Sequence, residues 1–104
     1  YDYPKVMKNF YSPEDNWDNV FPTLFPQWDR TPRAGKHEGI YVNATPQSFE
    51  NHIEDALQLI KNTPEQRKIL FLRSWNEWGE GNYVEPDTKY GHGFLDAIRN
   101  TIKK

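Results

Sequence analysis

The chain contains no cysteine. Disulfides, thiolate nucleophiles and Cys-ligated zinc are thereby excluded, and the redox compartment is left open. It also lacks a surplus of either charge: 13 Lys+Arg against 15 Asp+Glu leave a net charge of −2 over 104 residues. A nucleic-acid binder would carry a basic stripe and a peripheral membrane protein a polybasic segment, so neither partner is expected. No apolar run approaches the ~20 residues that span a bilayer, so membrane insertion is not expected either. The opening Tyr1-Asp2-Tyr3-Pro4 has neither the basic start nor the apolar stretch of a signal peptide. There is no initiator Met, and the expectation is a single fragment, residues 1–104, of something longer. Hydrophobic residues are sparse at 36%, yet aromatics reach 15%, enough to build a core or to line a sugar site with flat apolar faces and polar tips.

Neither an internal repeat nor a low-complexity tract interrupts the chain. Val6, Met7, Phe10 and Tyr11 suggest a short helical stripe ending before Ser12-Pro13. Residues 20–25 read as a short strand, in which Pro22 suits only an edge or a strand start. A long polar connection runs from Pro26 through Gly39, and long loops in compact domains are functional or disordered. Thr45 as N-cap and Pro46 at the first helical position open a helix whose stripe is Phe49, Ile53, Ala56, Leu57 and Ile60. Asn62-Thr63-Pro64 stops it. Lys68 to Ser74 is a strand, and its unbroken Ile69-Leu70-Phe71-Leu72 suits a parallel sheet covered on both faces. Phe94, Leu95, Ile98 and Ile102 mark a closing helix with the basic tail Lys103-Lys104 at its negative end.

This strand–helix alternation implies an α/β fold with parallel strands and right-handed crossovers. Segments leaving the C-terminal ends of such strands share one rim, where α/β enzymes place their sites. Trp28-Asp29 and the segment Trp75–Glu80 are expected to face each other there.

The segment "SWNEWGEGNYVEPD", residues 74–87, is the richest in chemistry. Glu77 and Glu80 are three apart, and a helical turn would put them on one face at about 5–6 Å. Paired carboxylates at about 5–5.5 Å are the geometry of a retaining glycosidase, and wider pairs that of an inverting one. Trp75 and Trp78 could exclude water and stack on sugar rings, and a like-charge neighbour in low dielectric would raise one carboxyl's pKa. Gly79 and Gly81 would allow a tight turn. The competing reading is a solvated pair of glutamates.

Several further residues have two readings. Trp28 and Asp29 either lean into the sugar site or anchor a loop, and Arg33 either holds Asp29 or a substrate acid or, more simply, forms a structural ion pair. Asn76 either positions a hydroxyl or caps the turn. Tyr83, Glu85 and Asp87 rim the cleft or, around Pro86, form a rigid turn. Tyr90 either reaches the site or, the simpler reading, packs in the core. His37-Glu38 lacks the second His of a zinc-protease helix, so no metal or cofactor is called for. His52, beside Asn51, is expected to be exposed. Ser74 has no nucleophile elbow around it, and Gly91-His92-Gly93 reads as a loose helix start.

The pattern "SWNEWGEGNYVEPDTKYG", with "FPQWDRTPR" before it, resembles the C-terminal part of the WbsX-type family. That family occurs with bacterial polysaccharide biosynthesis, is described as glycosyltransferase-like, and is related to the endo-α-mannosidases of glycoside hydrolase family 99. The likeness extends over most of residues 20–95. It implies a (β/α)₈ TIM barrel of which this chain supplies about the last two βα units. It further implies Glu80 as general acid at the glycosidic oxygen, and Glu77 as the base assisting attack by the sugar's own 2-hydroxyl, with retention. The residues around the pair differ from those of the endo-mannosidases, and Arg30 stands where the WbsX family usually has Asn.

The resemblance implies an oligosaccharide or polysaccharide substrate, and the residues expected from their own chemistry to contact it are Trp28, Asp29, Trp75, Asn76, Trp78, Tyr83 and Glu85. Two alternatives stay open: glycosyl transfer in lipopolysaccharide, O-antigen or capsule biosynthesis, and a non-catalytic carbohydrate-binding surface. A biosynthetic role would place the protein in the cytoplasm. A closed barrel needs about 200 residues or more, so the isolated chain is expected to be inactive, and three outcomes stay open for it: an autonomous αβ sandwich, self-association through open sheet edges, or a partly disordered fragment.

Overall fold

A computed structural model describes residues 1–12, 21–27, 41–78 and 81–102. The elements run α1 (Tyr3–Lys8), β1 (Thr23–Leu24), α2 (Pro46–Leu59), a 3₁₀ turn (Glu65–Arg67), β2 (Phe71–Leu72), β3 (Asn76–Glu77), β4 (Asn82–Tyr83) and α3 (Gly93–Ile102). β1 pairs with β2 in parallel, Thr23 opposite Phe71 and Leu24 opposite Leu72, while β3 and β4 form an antiparallel hairpin. A strand, a crossover helix and an adjacent parallel strand thus follow one another in β1, α2 and β2.

Pro22 fits because only its carbonyl is used: it accepts from the Phe71 N–H at 3.0 Å, as Leu24 O accepts from Arg73 N at 3.0 Å. Along residues 21–27 burial alternates, with Pro22, Leu24 and Pro26 inward, the period-2 signature of a strand.

The start of α2 is fixed by its own side chains. Thr45 Oγ1 accepts from Ser48 N at 3.1 Å, and Ser48 Oγ accepts from Thr45 N at 2.8 Å. This reciprocal box satisfies donors that a helix start otherwise leaves open, and Pro46 at the first position has none to satisfy. The buried stripe is Phe49, His52, Ile53 and Ala56. It packs against Phe94 and Ala97 of α3, with Leu24 and Val84 completing the core. Gly93 lets the helix starts meet: a β-carbon there would lie 2.5 Å from Pro46 Cγ.

His52 corrects the sequence expectation, being 1% exposed. Its position, three after Phe49 and four before Ala56, falls on the apolar stripe, so helical geometry carries it inward. Nε2 accepts the Phe25 N–H at 2.9 Å, and the Tyr11 ring stacks on the imidazole at 5.1 Å and 8°. With Nε2 an acceptor, the proton sits on Nδ1, which is buried without a hydrogen-bond partner among the described residues. Burial lowers the pKa to about 4.

The run 69–72 is not covered on both faces by the described residues. Leu70 and Leu72 pack on the core, while Ile69 is 42% and Phe71 56% exposed. In α1 the buried pair is Tyr3 and Met7, one turn apart, and Phe10 is half-exposed. The Tyr3 hydroxyl donates to Phe25 O at 2.5 Å, and burial pushes its pKa up. Ile102, expected in the stripe of α3, is instead 65% exposed.

Candidate functional site

The chain leaves β2 and is turned at Ser74. Ser74 Oγ donates to Asn82 O at 2.5 Å and accepts from Glu77 N at 3.1 Å. One hydroxyl therefore ties the start of the β3–β4 hairpin to its return strand, which is a structural task and not that of a nucleophile. The hairpin is closed by Gly81 N donating to Trp78 O at 3.0 Å, with Gly81 at φ 56°. Glycine takes that left-handed conformation without the Cβ clash other residues meet. The chain thus reverses as a hairpin, with Glu77 opposite Asn82, where a helical turn had been one expectation.

Glu77 is half-buried and lines an open groove of about 310 Å³ with Leu72, Arg73, Ser74 and Asn82. Glu80, Trp28 and Asp29, with Arg30, Arg33, His37 and Glu38, lie outside the described residues, as does Gly79. Trp75 is 53% exposed, and Asn76 is exposed on β3. Trp78 is 43% exposed; one face stacks on Tyr83 at 3.7 Å and 14°, and its indole N–H donates to Glu85 Oε1 at 2.8 Å. Glu85 is thereby engaged in holding a ring in place.

Asp87 is engaged on both oxygens. Oδ2 accepts from the Tyr83 hydroxyl at 2.8 Å and Oδ1 from Tyr90 N at 2.7 Å. Its backbone pairs with that of Gly91, closing the turn that leads into α3. Burial and the neighbouring Asp87 push the Tyr83 phenol up to about 12, because the ionised phenol would lose its donated bond and meet a like charge.

Two residues that sequence reasoning passed over join this segment to β1. Gln27 Nε2 donates to Tyr83 O at 2.9 Å, and Asn82 Nδ2 donates to Gln27 O at 2.5 Å. The exit of β1 and the acidic segment are therefore bonded to each other. Asn82 is 1% exposed, and its Oδ1 has no hydrogen-bond partner among the described residues. Its alternation with Tyr83 on β4 sends them to opposite faces: Asn82 lines the Glu77 groove, Tyr83 a second cavity of about 370 Å³. An amide placed between an aromatic and a glycine was the only sequence signal for Asn82. Among the described residues no cluster of three or more His, Asp or Glu converges to hold a metal ion. No described helix is long and apolar enough to cross a membrane.

Comparison with known proteins adds three findings. The profile of a family described as "Glycosyltransferase WbsX" matches residues 1–98. Two relatives, each named "Uncharacterized protein WxcX" and coming from two strains of Xanthomonas campestris pv. campestris (B100 and ATCC 33913), are 33% identical over 86 residues. That stretch covers 82% of this chain but 12% of each relative, so the chain spans about an eighth of their length. No solved structure matches the chain.

Proposed function

With the premise that this chain belongs to the WbsX glycosyltransferase family, we propose that it is the carboxylate-bearing part of a carbohydrate-active site in a larger protein. The observation that carries this reading is the setting of Glu77. It is a half-buried carboxylate in a groove, flanked in sequence by the two exposed tryptophans Trp75 and Trp78, on a hairpin locked by Ser74 and Asn82. Exposed indole faces suit the apolar faces of sugar rings, and a fixed carboxylate suits their hydroxyls or a proton transfer.

In the full protein Glu80 works with Glu77 as the acid of a retaining, endo-acting hydrolase on a bacterial surface polysaccharide or glycan. The parallel β1–β2 pair, connected through α2, supports placing the chain as the last two or so βα units of a (β/α)₈ barrel. On that reading the exposed Ile69 and Phe71, and the open groove of about 600 Å³ beside Leu57, Ile60, Leu70 and Ile102, are surfaces against which further barrel elements pack.

A second reading, glycosyl transfer in polysaccharide biosynthesis, is favoured by the family's description. The test is to incubate the full-length protein with glycan alone and with nucleotide-sugars. Metal-independent release of shorter glycans supports hydrolysis, and divalent-metal-dependent loss of nucleotide-sugar supports transfer. Glu77→Gln and Glu80→Gln then separate catalysis from binding: activity lost with glycan binding retained supports a catalytic pair. Binding of glycan with neither activity leaves a carbohydrate-binding surface.

A further inference from the structure

The cavity of about 370 Å³ lies on the other face of β4 from the Glu77 groove and has its own chemistry. Its volume falls within the ~300–1,000 Å³ of small-ligand sites. Three half-buried tyrosines, Tyr41, Tyr83 and Tyr90, line it, together with Asn43 and Lys89. Each wall is fixed by contacts of its own. Tyr41 packs on Phe25 at 5.4 Å, Tyr90 packs edge-on against Phe94 at 5.8 Å, and Tyr83 is held by Trp78 and Asp87. Asn43, at φ 62°, is pinned by its Nδ2 donating to Asp2 Oδ1 at 2.6 Å. Pinned aromatic rings with polar tips around a volume of this size are a sugar-binding arrangement.

Lys89 sets the charge. Among the described residues no carboxylate pairs with it; its Nζ lies 5.2 Å from the Tyr90 ring centroid, at the cavity wall. Asp87 shares that wall and already holds two donors, so it adds a negative charge that opposes a dianion more than a monoanion. A phosphate would also want several backbone amides. The neighbouring start of α2 is poor in them, because Pro46 has none and the Ser48 amide is given to Thr45. One ammonium among tyrosines suits a planar carboxylate.

We propose that this cavity is a second carbohydrate subsite, selective for a sugar carrying a carboxylate, a hexuronic acid, with Lys89 as its counter-ion. The class of ligand rests on the carbohydrate reading above; the site is separate from the Glu77 groove.

The test uses the full-length protein and saturation-transfer NMR with four probes: methyl glycosides of glucuronic acid, galacturonic acid, glucose and galactose. At least one uronide is expected to bind up to roughly fivefold tighter than its neutral counterpart, the range of an exposed ion pair. Lys89→Met, which keeps the aliphatic stem, is expected to erase that preference, and Lys89→Arg to keep it. Tyr41→Ala is expected to weaken acidic and neutral sugars alike. Equal binding of uronides and neutral sugars by the unaltered protein, or a preference that survives Lys89→Met, overturns the acidic subsite but leaves the carbohydrate reading standing. Absence of binding by all four probes overturns the subsite; glycan turnover then shows separately whether the carbohydrate reading fails with it.

Discussion

The buried imidazole of His52 makes the fold sensitive to acid in a way that can be worked through. Its pKa is about 4 in the folded chain against 6.5 for a free imidazole, and the cause is burial. The folded state therefore resists protonation while the unfolded state accepts it. Between pH 6.5 and 4 the unfolded chain binds more protons, so stability falls as pH falls across that window and levels off below it. Bringing the chain from pH 7.5 to 4.5 should cost about 2 to 3 kcal/mol through this one residue. Asp55 and Lys8 line the small cavity beside His52, and burial, with the charge of Glu54, raises the Asp55 carboxyl. Burial is the cause of the His52 shift, so neither charge alters its direction. His52→Gln removes the titration while offering an acceptor to the Phe25 amide. Urea unfolding followed by tryptophan fluorescence at the two pH values gives the stability of each protein. The variant should be less stable at pH 7.5, having lost the stacking on Tyr11, and the gap should close by about 2 to 3 kcal/mol at pH 4.5. A gap that is the same at both pH values would refute the buried, neutral imidazole.

Gly93→Ala should destabilise by roughly 1–3 kcal/mol, because the new methyl meets the stiff Pro46 ring at 2.5 Å; thermal unfolding checks this, and an unchanged midpoint would mean that the helix starts do not touch. Thr45→Ala should cost about 1 kcal/mol by opening the reciprocal cap of α2, read by circular dichroism under denaturant. Tyr83 should be among the late phenols in an alkaline titration at 295 nm, since its pKa is about 12. Because the folded value is raised above 10, its contribution to stability is complete below pH 10 and is lost as pH rises toward 12. Tyr83→Phe should remove that dependence.

The helices were the most legible part of the sequence, because their signals are local. Thr45-Pro46 and the stripe through Ile60 define α2 (Pro46–Leu59), and Phe94 with Ile98 defines α3. Weighed as a lone polar residue, His52 reads as exposed, whereas its place on the stripe decides its burial. The all-apolar run 69–72 implied cover on both faces, yet Phe71 is 56% exposed, with the Phe21 ring meeting it edge-on at 6.0 Å and leaving much of it open. Around the candidate site the sequence indicated which residue types were present but not how they bond. Asn82 and Gln27 join segments 55 residues apart, and no periodicity reports such a pairing. Glu85 and Asp87 had been weighed as rim or turn residues. They hold Trp78 and the Tyr83–Tyr90 turn through hydrogen bonds that only the folded geometry reveals.

The proposed function requires Glu77, with Glu80, to act chemically on a glycan. Its most direct measurement is turnover and glycan binding by the full-length protein beside Glu77→Gln. Turnover should fall by about 10²–10⁴, the usual worth of a positioned acid or base, with binding within a few-fold of the unaltered protein. Turnover unchanged by the substitution would contradict the proposed function.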